Sequence, residues 1–187
     1  MHFRVAWLVV LLAILAASSG VPRAQENTGA SREYQIKAAI LFNFMKFVEW
    51  PTEAFADNPS TLILGILGED PFGPALESID GKTVQGRTLV VRRFASLQDL
   101  EPCQILFVSS SERDRLQAVF EAVDSWSVLT VGEMDRFAEL GGIIGLDIRR
   151  NAISFDINSR AGQQAGLSIS SELLNLARVV ENRGRRN

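Results

Sequence analysis

The chain has 187 residues, of which 47% are hydrophobic and 22% are charged. That hydrophobic share excludes a disordered chain, and the length fits one domain or one domain with a small appendage. The 19 basic and 22 acidic residues exclude a general nucleic-acid binder, which needs a basic surface. His2 and Cys103 are the only residues of their types.

Residues 1–24 have the layout of a secretory signal peptide. Arg4 gives a positive start, residues 5–17 form an uninterrupted apolar run, and small residues follow at 18–20. The apolar run is shorter than the roughly 20 residues that a membrane-spanning helix needs. We therefore expect export and cleavage, with no membrane insertion of the mature protein; an uncleaved anchor is the alternative. Cleavage is expected after one of three small residues, Ser18, Gly20 or Ala24.

Removal of residues 1–24 changes the net charge of the chain and the residue types that it contains. It takes Arg4 and Arg23 but no acidic residue, so the formal net charge changes from -3 to -5. It also takes His2, which excludes Ser-His-Asp and Cys-His catalysis and every histidine-containing zinc site. Cys103 alone cannot form an intramolecular disulfide. The dinucleotide fingerprint, the P-loop and the Gly-x-Ser-x-Gly motif are also absent, so we expect no metal and no cofactor. The 22 acidic residues leave paired carboxylates open, and a hydrolase without histidine is the weakest hypothesis.

The mature chain is expected to begin with a flexible, polar lead-in at residues 25–32. Residues 33–50 then predict a helix that Pro51 stops. Its apolar residues cover most of the circumference, so the helix must be buried on more than one side. We interpret it as a central core helix; the alternative is that part of it meets another protein.

Short apolar runs and helical segments alternate after that helix. Strands are expected at 62–67, 88–94, 104–108 and 127–131, and helical segments at 70–79, 96–100, 109–123 and 134–139. This alternation predicts a single compact α/β domain, with a mostly parallel sheet flanked by helices. A C-terminal β-hairpin is expected from 142–148 and 152–157, followed by a helix from Ser170 or Ser171 to Val180 and a basic tail at 183–187.

Small polar residues follow three of the predicted strands. In an open α/β sheet, ligands bind beyond the carboxyl ends of the strands. Backbone N–H groups there can bind an anion or a polar ligand. The candidate ligand-binding residues are Gly68, Asp70, Ser109, Ser110 and Gly132. The alternative is that Asp70 and a serine cap helices, and that the glycines relieve backbone strain.

A local basic cluster stands out on this acidic chain, formed by Lys82, Arg87, Arg92 and Arg93. A solvated edge strand is the simplest interpretation, and a docking surface for an acidic partner is the alternative. Cys103 is expected to be a small, semi-buried residue rather than a reactive thiol.

Seven segments, in order, resemble the YfiR/HmsC family of exported regulatory proteins. They are Lys37–Pro51, Leu67–Gly73, Gly81–Arg93, Cys103–Ser109, Val128–Gly132, Phe137–Gly142 and Ala165–Arg178. The run Lys-Phe-Val-Glu-Trp-Pro at 46–51 is the most specific of them. The resemblance assigns residues 33–182 to one YfiR-like α/β domain.

The resemblance implies a periplasmic regulator without catalytic residues. Such proteins bind the periplasmic sensor part of an inner-membrane diguanylate cyclase and hold it inactive, which controls cyclic di-GMP and biofilm formation. The resemblance also implies a homodimer, and it leaves other membrane sensors, including histidine kinases, as possible partners. The best-known members carry paired cysteines that sense redox state, whereas this chain has Cys103 alone.

Large apolar residues in two of these segments are the candidate partner-binding residues, because such residues make good interface anchors. They are Phe44, Phe47, Trp50, Leu167 and Ile169. A second hypothesis is a periplasmic small-molecule-binding module that uses the strand-end residues and reports to a membrane sensor.

Overall fold

The computed structural model describes residues 26–149 and 152–181. The predicted signal peptide and the basic tail at 183–187 lie outside the described residues. In chain order the helices and strands are α1 Glu26–Phe47, β1 Val48–Glu49, β2 Thr61–Leu67, β3 Thr83–Val84, β4 Arg87–Phe94, β5 Ile105–Val108, α2 Leu116–Val123, β6 Leu129–Gly132, β7 Ile144–Arg149, β8 Ala152–Ile157, α3 Ser159–Gln164, β9 Ser168–Ile169, α4 Ser171–Leu176 and β10 Arg178–Val179. Short 3₁₀ helices cover Thr52–Phe55, Gly73–Ser78, Leu97–Asp99 and Ser110–Arg115.

Eight strands form one mixed sheet in the order β10-β8-β7-β6-β5-β2-β4-β3. From β4 to β7 every neighbouring pair is parallel. The β7–β8 and β3–β4 pairs are antiparallel hairpins, and β10 runs parallel to β8. The predicted α/β class, the mostly parallel sheet and the C-terminal hairpin are therefore confirmed.

The sheet is covered on both faces because its central strands are apolar on both sides. In β2, Leu64 and Ile66 join the core cluster that includes Leu41 of α1. Ile63 and Leu67 join a second cluster that includes Val119 of α2. Successive side chains of a strand point to opposite faces, so a continuous apolar run such as β2 needs a helix on each side.

The helix α1 begins earlier and ends earlier than its sequence predicts. It starts at Glu26, so residues that we expected to form an irregular lead-in have helical backbone. Once the buried part of a helix has formed, each preceding residue adds a hydrogen bond without the cost of a new nucleus. The helix ends at Phe47 because Val48 and Glu49 form strand β1 with β9, before Pro51 is reached.

Three predicted helical segments differ in the structure. The segment at 70–79 contains a 3₁₀ helix, Gly73–Ser78, and residues 135–141 form turns. The C-terminal helix stops at Leu176, because Ala177 has extended backbone and the next two residues form β10. Pairing with β8 satisfies backbone groups that a longer helix would otherwise have satisfied.

Candidate functional site

The predicted strand-end residues lie along one edge of the sheet. Leu67 of β2 pairs with Val108 of β5, and Val108 pairs in turn with Gly132 of β6. Gly68 and Ser109 directly follow β2 and β5, and Gly132 is the last residue of β6. Because these strands are parallel, all three residues lie at the same edge of the sheet, where the carboxyl ends of the strands meet. The sequence therefore placed these residues correctly with respect to each other.

Most polar groups at this edge already have partners within the protein. Ser109 is buried, its N–H donates to the Leu67 carbonyl, and its Oγ accepts from the Ser111 N–H. The Ser111 Oγ accepts from the Glu69 N–H at 3.0 Å. Ser110 is exposed and begins the 3₁₀ helix Ser110–Arg115. These contacts correspond to the capping alternative rather than to open ligand-binding groups.

Asp70 has the same kind of structural role. Its Oδ1 accepts from the N–H groups of Phe72, at 2.7 Å, and Gly73, at 3.3 Å. Its Oδ2 accepts from the Arg93 Nε at 2.7 Å. The carboxylate therefore holds the chain that leads into the 3₁₀ helix and ties that chain to β4.

Side chains fill the space beside the two glycines. Gly68 has a φ of +87°, and a Cβ built there would come within 2.3 Å of the Ser111 Oγ. A Cβ at Gly132 would come within 2.6 Å of the Phe137 ring. These glycines allow close packing within the fold, which agrees with the alternative interpretation of the strand-end residues.

The two candidate partner-binding segments lie side by side, although they are far apart in the sequence. Val48 of β1 pairs with Ile169 of β9, and Glu49 pairs with Ser168, in an antiparallel two-stranded sheet. The Ser170 N–H donates to the Phe47 carbonyl at 2.9 Å, which extends this pairing by one step. The sequence suggested both segments but gave no sign that they are paired.

Burial divides the five candidate partner-binding residues. Phe44 is only 3% exposed and Leu167 only 4%, so both belong to the core, and they are not surface anchors in this structure. Phe47, Trp50 and Ile169 are half-buried and pack against the same core cluster. The Trp50 indole also donates to the Gln104 carbonyl at 2.9 Å. We call the half-buried Phe47, Trp50 and Ile169, with exposed Glu49 and Ser168, the β1–β9 surface.

A cavity of about 240 Å³ lies near the other end of the parallel strands, next to the start of β5. It is lined by Glu53, Ala54, Ala56, Asp57, Asn58, Ile63, Pro102, Cys103, Gln104, Ser125, Trp126 and Ser127. No local sequence pattern indicates this cavity, because its lining comes from three connecting segments, at residues 53–58, 102–104 and 125–127, and from Ile63 of β2. The lining combines two carboxylates with the indole of half-buried Trp126.

Cys103 is a buried, free thiol, as its sequence context suggested. Burial raises the pKa of this thiol from its usual 9.0 to about 12. A hydrogen bond with the Gly65 backbone and the charge of Arg92 oppose that rise only in part. The thiolate is the reactive form, so the burial of Cys103 makes it a poor nucleophile.

In the described ranges, no group of three or more His, Cys, Asp or Glu side chains is arranged to hold a metal ion. Across the same part of the chain, no helix is long and apolar enough to cross a membrane.

Residues 34–178 match the model of the YfiR/HmsC-like family, and the chain belongs to that family. The family is periplasmic, regulatory and non-catalytic. The match covers every strand from β1 to β9 and both segments of the β1–β9 surface.

Two solved structures that match this chain share little sequence with it. One is a conserved domain protein from Vibrio cholerae, with a TM-score of 0.53, 12% identity, and coverage of 78% of this chain and 59% of that one. Another is an ABC domain in complex with L-Trp from Streptococcus pneumoniae, with a TM-score of 0.48, 14% identity, and coverage of 67% and 57%. The chain thus spans less than two thirds of either protein, and the likeness to the Vibrio structure concerns the fold alone.

Proposed function

We propose that this protein is a periplasmic negative regulator that binds the periplasmic sensor part of an inner-membrane diguanylate cyclase. Bound in this way, it lowers cyclic di-GMP and restrains biofilm formation. Membership of the YfiR/HmsC-like family supports this class of function. The observation that carries the proposal is the β1–β9 surface, where the Phe47–Trp50 segment and the strand of Ile169 lie next to each other.

The β1–β9 surface has properties that suit a regulated contact. It combines half-buried aromatic and aliphatic side chains with the exposed polar residues Glu49 and Ser168. Aromatic residues anchor interfaces, while a polar rim keeps the free protein soluble. Its backbone is held by strand pairing, so little conformational entropy is lost on binding.

The mechanism is a shift of the cyclase population. If the regulator binds only the inactive conformation, that conformation is stabilised in proportion to the difference in affinity. A signal then activates the cyclase by weakening the contact. The regulator needs no catalytic residue for this effect.

A binding experiment with a matched pair of variants tests the proposal. The mature chain is used to pull down the periplasmic domain of the membrane protein encoded by the neighbouring gene. Glu49→Lys changes an exposed residue of the β1–β9 surface and should weaken capture. Glu77→Lys makes the same change at an exposed position of the 3₁₀ helix Gly73–Ser78 and should not weaken it. Deletion of the gene should raise cellular cyclic di-GMP. An unchanged level would overturn the cyclase assignment.

The cavity beside Cys103 favours a second candidate, a small-molecule-binding module that reports to a membrane sensor such as a histidine kinase. Thermal-shift screening of the mature chain against small metabolites tests it. A ligand whose stabilisation is lost in Trp126→Ala but kept in Ser109→Ala would place binding in the cavity. The reverse result would return binding to the strand-end residues, and the absence of any stabilising ligand would count against this candidate.

A further inference from the structure

Three cations near the end of α1 lie over aromatic rings rather than against carboxylates. The Lys46 and Lys82 Nζ atoms lie 4.8 Å and 5.7 Å from the centre of the Phe42 ring. The Arg87 guanidinium carbon lies 3.6 Å from the centre of the Phe55 ring. We call these five residues the basic–aromatic surface.

The fold brings this surface together from three parts of the chain: α1, the 3₁₀ helix Thr52–Phe55, and the segment from Lys82 through the β3–β4 hairpin. Phe42 and Lys46 are one helical turn apart on α1, so they share a face. On the β3–β4 hairpin, Arg87 pairs with buried Val84, so both side chains lie on the side of the sheet that packs against α1.

A side-chain amide fixes the hairpin to the helix. The Gln85 Nε2 donates to the carbonyl oxygens of Met45, at 3.0 Å, and Val48, at 2.9 Å. The Met45 carbonyl lies in the last turn of α1, where backbone acceptors lack partners within the helix, and the Val48 carbonyl lies in β1 directly after it. The relative positions of Lys46 and Lys82 are therefore set by the fold.

The charges of this surface are not neutralised within the described residues. None of Lys46, Lys82 and Arg87 has an ion-pair partner there, and the Arg87 Nε is buried without a hydrogen bond. By contrast, the nearby Arg92 pairs with Glu101 and Arg93 pairs with Asp70. A cation–π contact at a surface contributes about 0.5–1 kcal/mol and leaves the positive charge in place.

We propose that the basic–aromatic surface binds an acidic segment of a partner protein. Carboxylates of that segment would reach the two ammonium groups and the guanidinium, and an apolar side chain would pack on the half-buried Phe42 ring. The inference deepens the proposed function and rests on it, because it names the chemistry of one contact that the membrane sensor would make.

A protein segment fits this surface better than a lipid surface does. Juxtamembrane basic patches that bind anionic lipids carry about four to eight Lys or Arg residues, and this surface has fewer. The whole chain is acidic, with 22 acidic and 19 basic residues, so an anionic bilayer would repel it. A short acidic segment is attracted by the three cations of this surface and is too small to be repelled by the acidic residues elsewhere on the chain.

The test uses the mature chain and a defined probe. The probe is a short fluorescent peptide in which acidic residues, Glu and Asp, alternate with Gly around one central Leu. In the control peptide, Gln replaces each Glu and Asn replaces each Asp. Fluorescence anisotropy should show binding of the acidic peptide only, with affinity that falls as salt is raised. Equal binding of the two peptides, or no binding of either, would overturn the proposal.

Matched variants locate the contact. Lys46→Gln with Lys82→Gln should weaken acidic-peptide binding by about tenfold. Phe42→Leu should weaken it less. Arg113→Gln removes a cation from the exposed surface of a 3₁₀ helix and should leave binding unchanged. Wild-type affinity in the double lysine variant would overturn the assignment of this surface.

A vesicle arm separates the two sources of negative charge. Phosphatidylglycerol and phosphatidylcholine vesicles are each sedimented with the mature chain. We expect the chain to stay in the supernatant with both kinds of vesicle. If the chain instead sediments with phosphatidylglycerol vesicles, and the double lysine variant does not, the surface binds a lipid membrane rather than a protein segment. Because the probe is a peptide alone, peptide binding can succeed when the cyclase proves not to be the partner. The two proposals therefore fail separately.

Discussion

The Lys37 ammonium and the Glu133 carboxylate form an ion pair that joins α1 to the residue just after β6, with Nζ and Oε2 2.5 Å apart. Both side chains are largely buried, and the Tyr34 hydroxyl donates to the other carboxylate oxygen, Oε1, at 3.2 Å. The Lys37 ammonium also lies 4.3 Å from the centre of the Tyr34 ring. This cluster fixes α1 against the carboxyl end of the parallel strands.

Loss of one member of this pair should be costly. Glu133→Ala removes the carboxylate that accepts from both the Lys37 ammonium and the Tyr34 hydroxyl, so we expect the free energy of unfolding to fall by about 1–3 kcal/mol. Urea denaturation measures the change. Glu77→Ala, at an exposed position, should change stability by less than about 0.5 kcal/mol. Lys37→Met with Glu133→Leu should recover most of the loss, and a double variant no more stable than Glu133→Ala would contradict this account.

The buried thiol gives a dependence on pH in the alkaline range. Above pH 9 the Cys103 thiol ionises in the unfolded chain but remains protonated in the folded protein, whose pKa for this group is about 12. The unfolded state is therefore favoured progressively as the pH rises from 9 towards 12, and the contribution is constant below 9. At the middle of that pH range, the ionisation of this thiol has lowered the free energy of unfolding by about 2 kcal/mol.

Comparison with Cys103→Ala isolates this effect. The variant starts from a lower stability because it leaves a small cavity, but its stability should fall less steeply above pH 9. Parallel slopes for the two proteins would show that the thiol is not desolvated. Folded wild type at neutral pH should also react slowly with a thiol reagent and react fully once urea unfolds it.

Asp70 should affect stability rather than ligand binding. Asp70→Ala removes the acceptor of the Phe72 and Gly73 N–H groups and the partner of Arg93, so we expect a loss of about 1–2 kcal/mol in thermal or urea unfolding. Asp70→Asn keeps the Oδ1 acceptor and should cost less than about 1 kcal/mol. A variant of full stability that lost a small-molecule response would instead restore Asp70 as a binding residue.

A larger side chain next to the Phe137 ring should destabilise the protein. A Cβ at Gly142 would come within 2.1 Å of the ring, so Gly142→Ala should cost about 1–3 kcal/mol in urea denaturation. Gly145→Ala is the control, because its Cβ would come no closer than 3.4 Å to any atom. Phe137→Leu makes room, and the double variant should be more stable than the sum of the single losses predicts. If the stability losses of the two single variants simply add in the double variant, the cost of Gly142→Ala comes from the backbone and not from contact with the Phe137 ring.

Local patterns were sufficient to predict the sheet. The apolar runs of β2 and β5 are buried on both faces, and a strand of that kind can be recognised from a few residues. The end of the last helix was not predictable in this way. Leu176 and Val179 are three residues apart, which is a helical spacing, yet Val179 belongs to β10 because β8 offers a free edge. That edge is a property of the whole fold.

The candidate sites show the same limit. Lys82, Arg87, Arg92 and Arg93 form one cluster in the sequence. In the structure, Arg92 and Arg93 pair with the acidic residues Glu101 and Asp70. Lys82 shares the Phe42 ring of α1 with Lys46, and Arg87 lies over the Phe55 ring. Lys46 is distant in sequence, so no local pattern assigned it to this surface. Phe44 and Phe47 likewise differ in burial because of what packs on α1, not because of their residue type.

The pairing of β1 with β9 has a consequence for the order of folding. β1 lies near the beginning of the described chain and β9 near its end, so their contact closes a loop that contains nearly all of the sheet. Contacts of such long sequence separation form late, because the loop-closure entropy is lost before the contact is gained. Val48 and Ile169 therefore pair only after β9 has been synthesised, and a chain that lacked β9 would never display the β1–β9 surface.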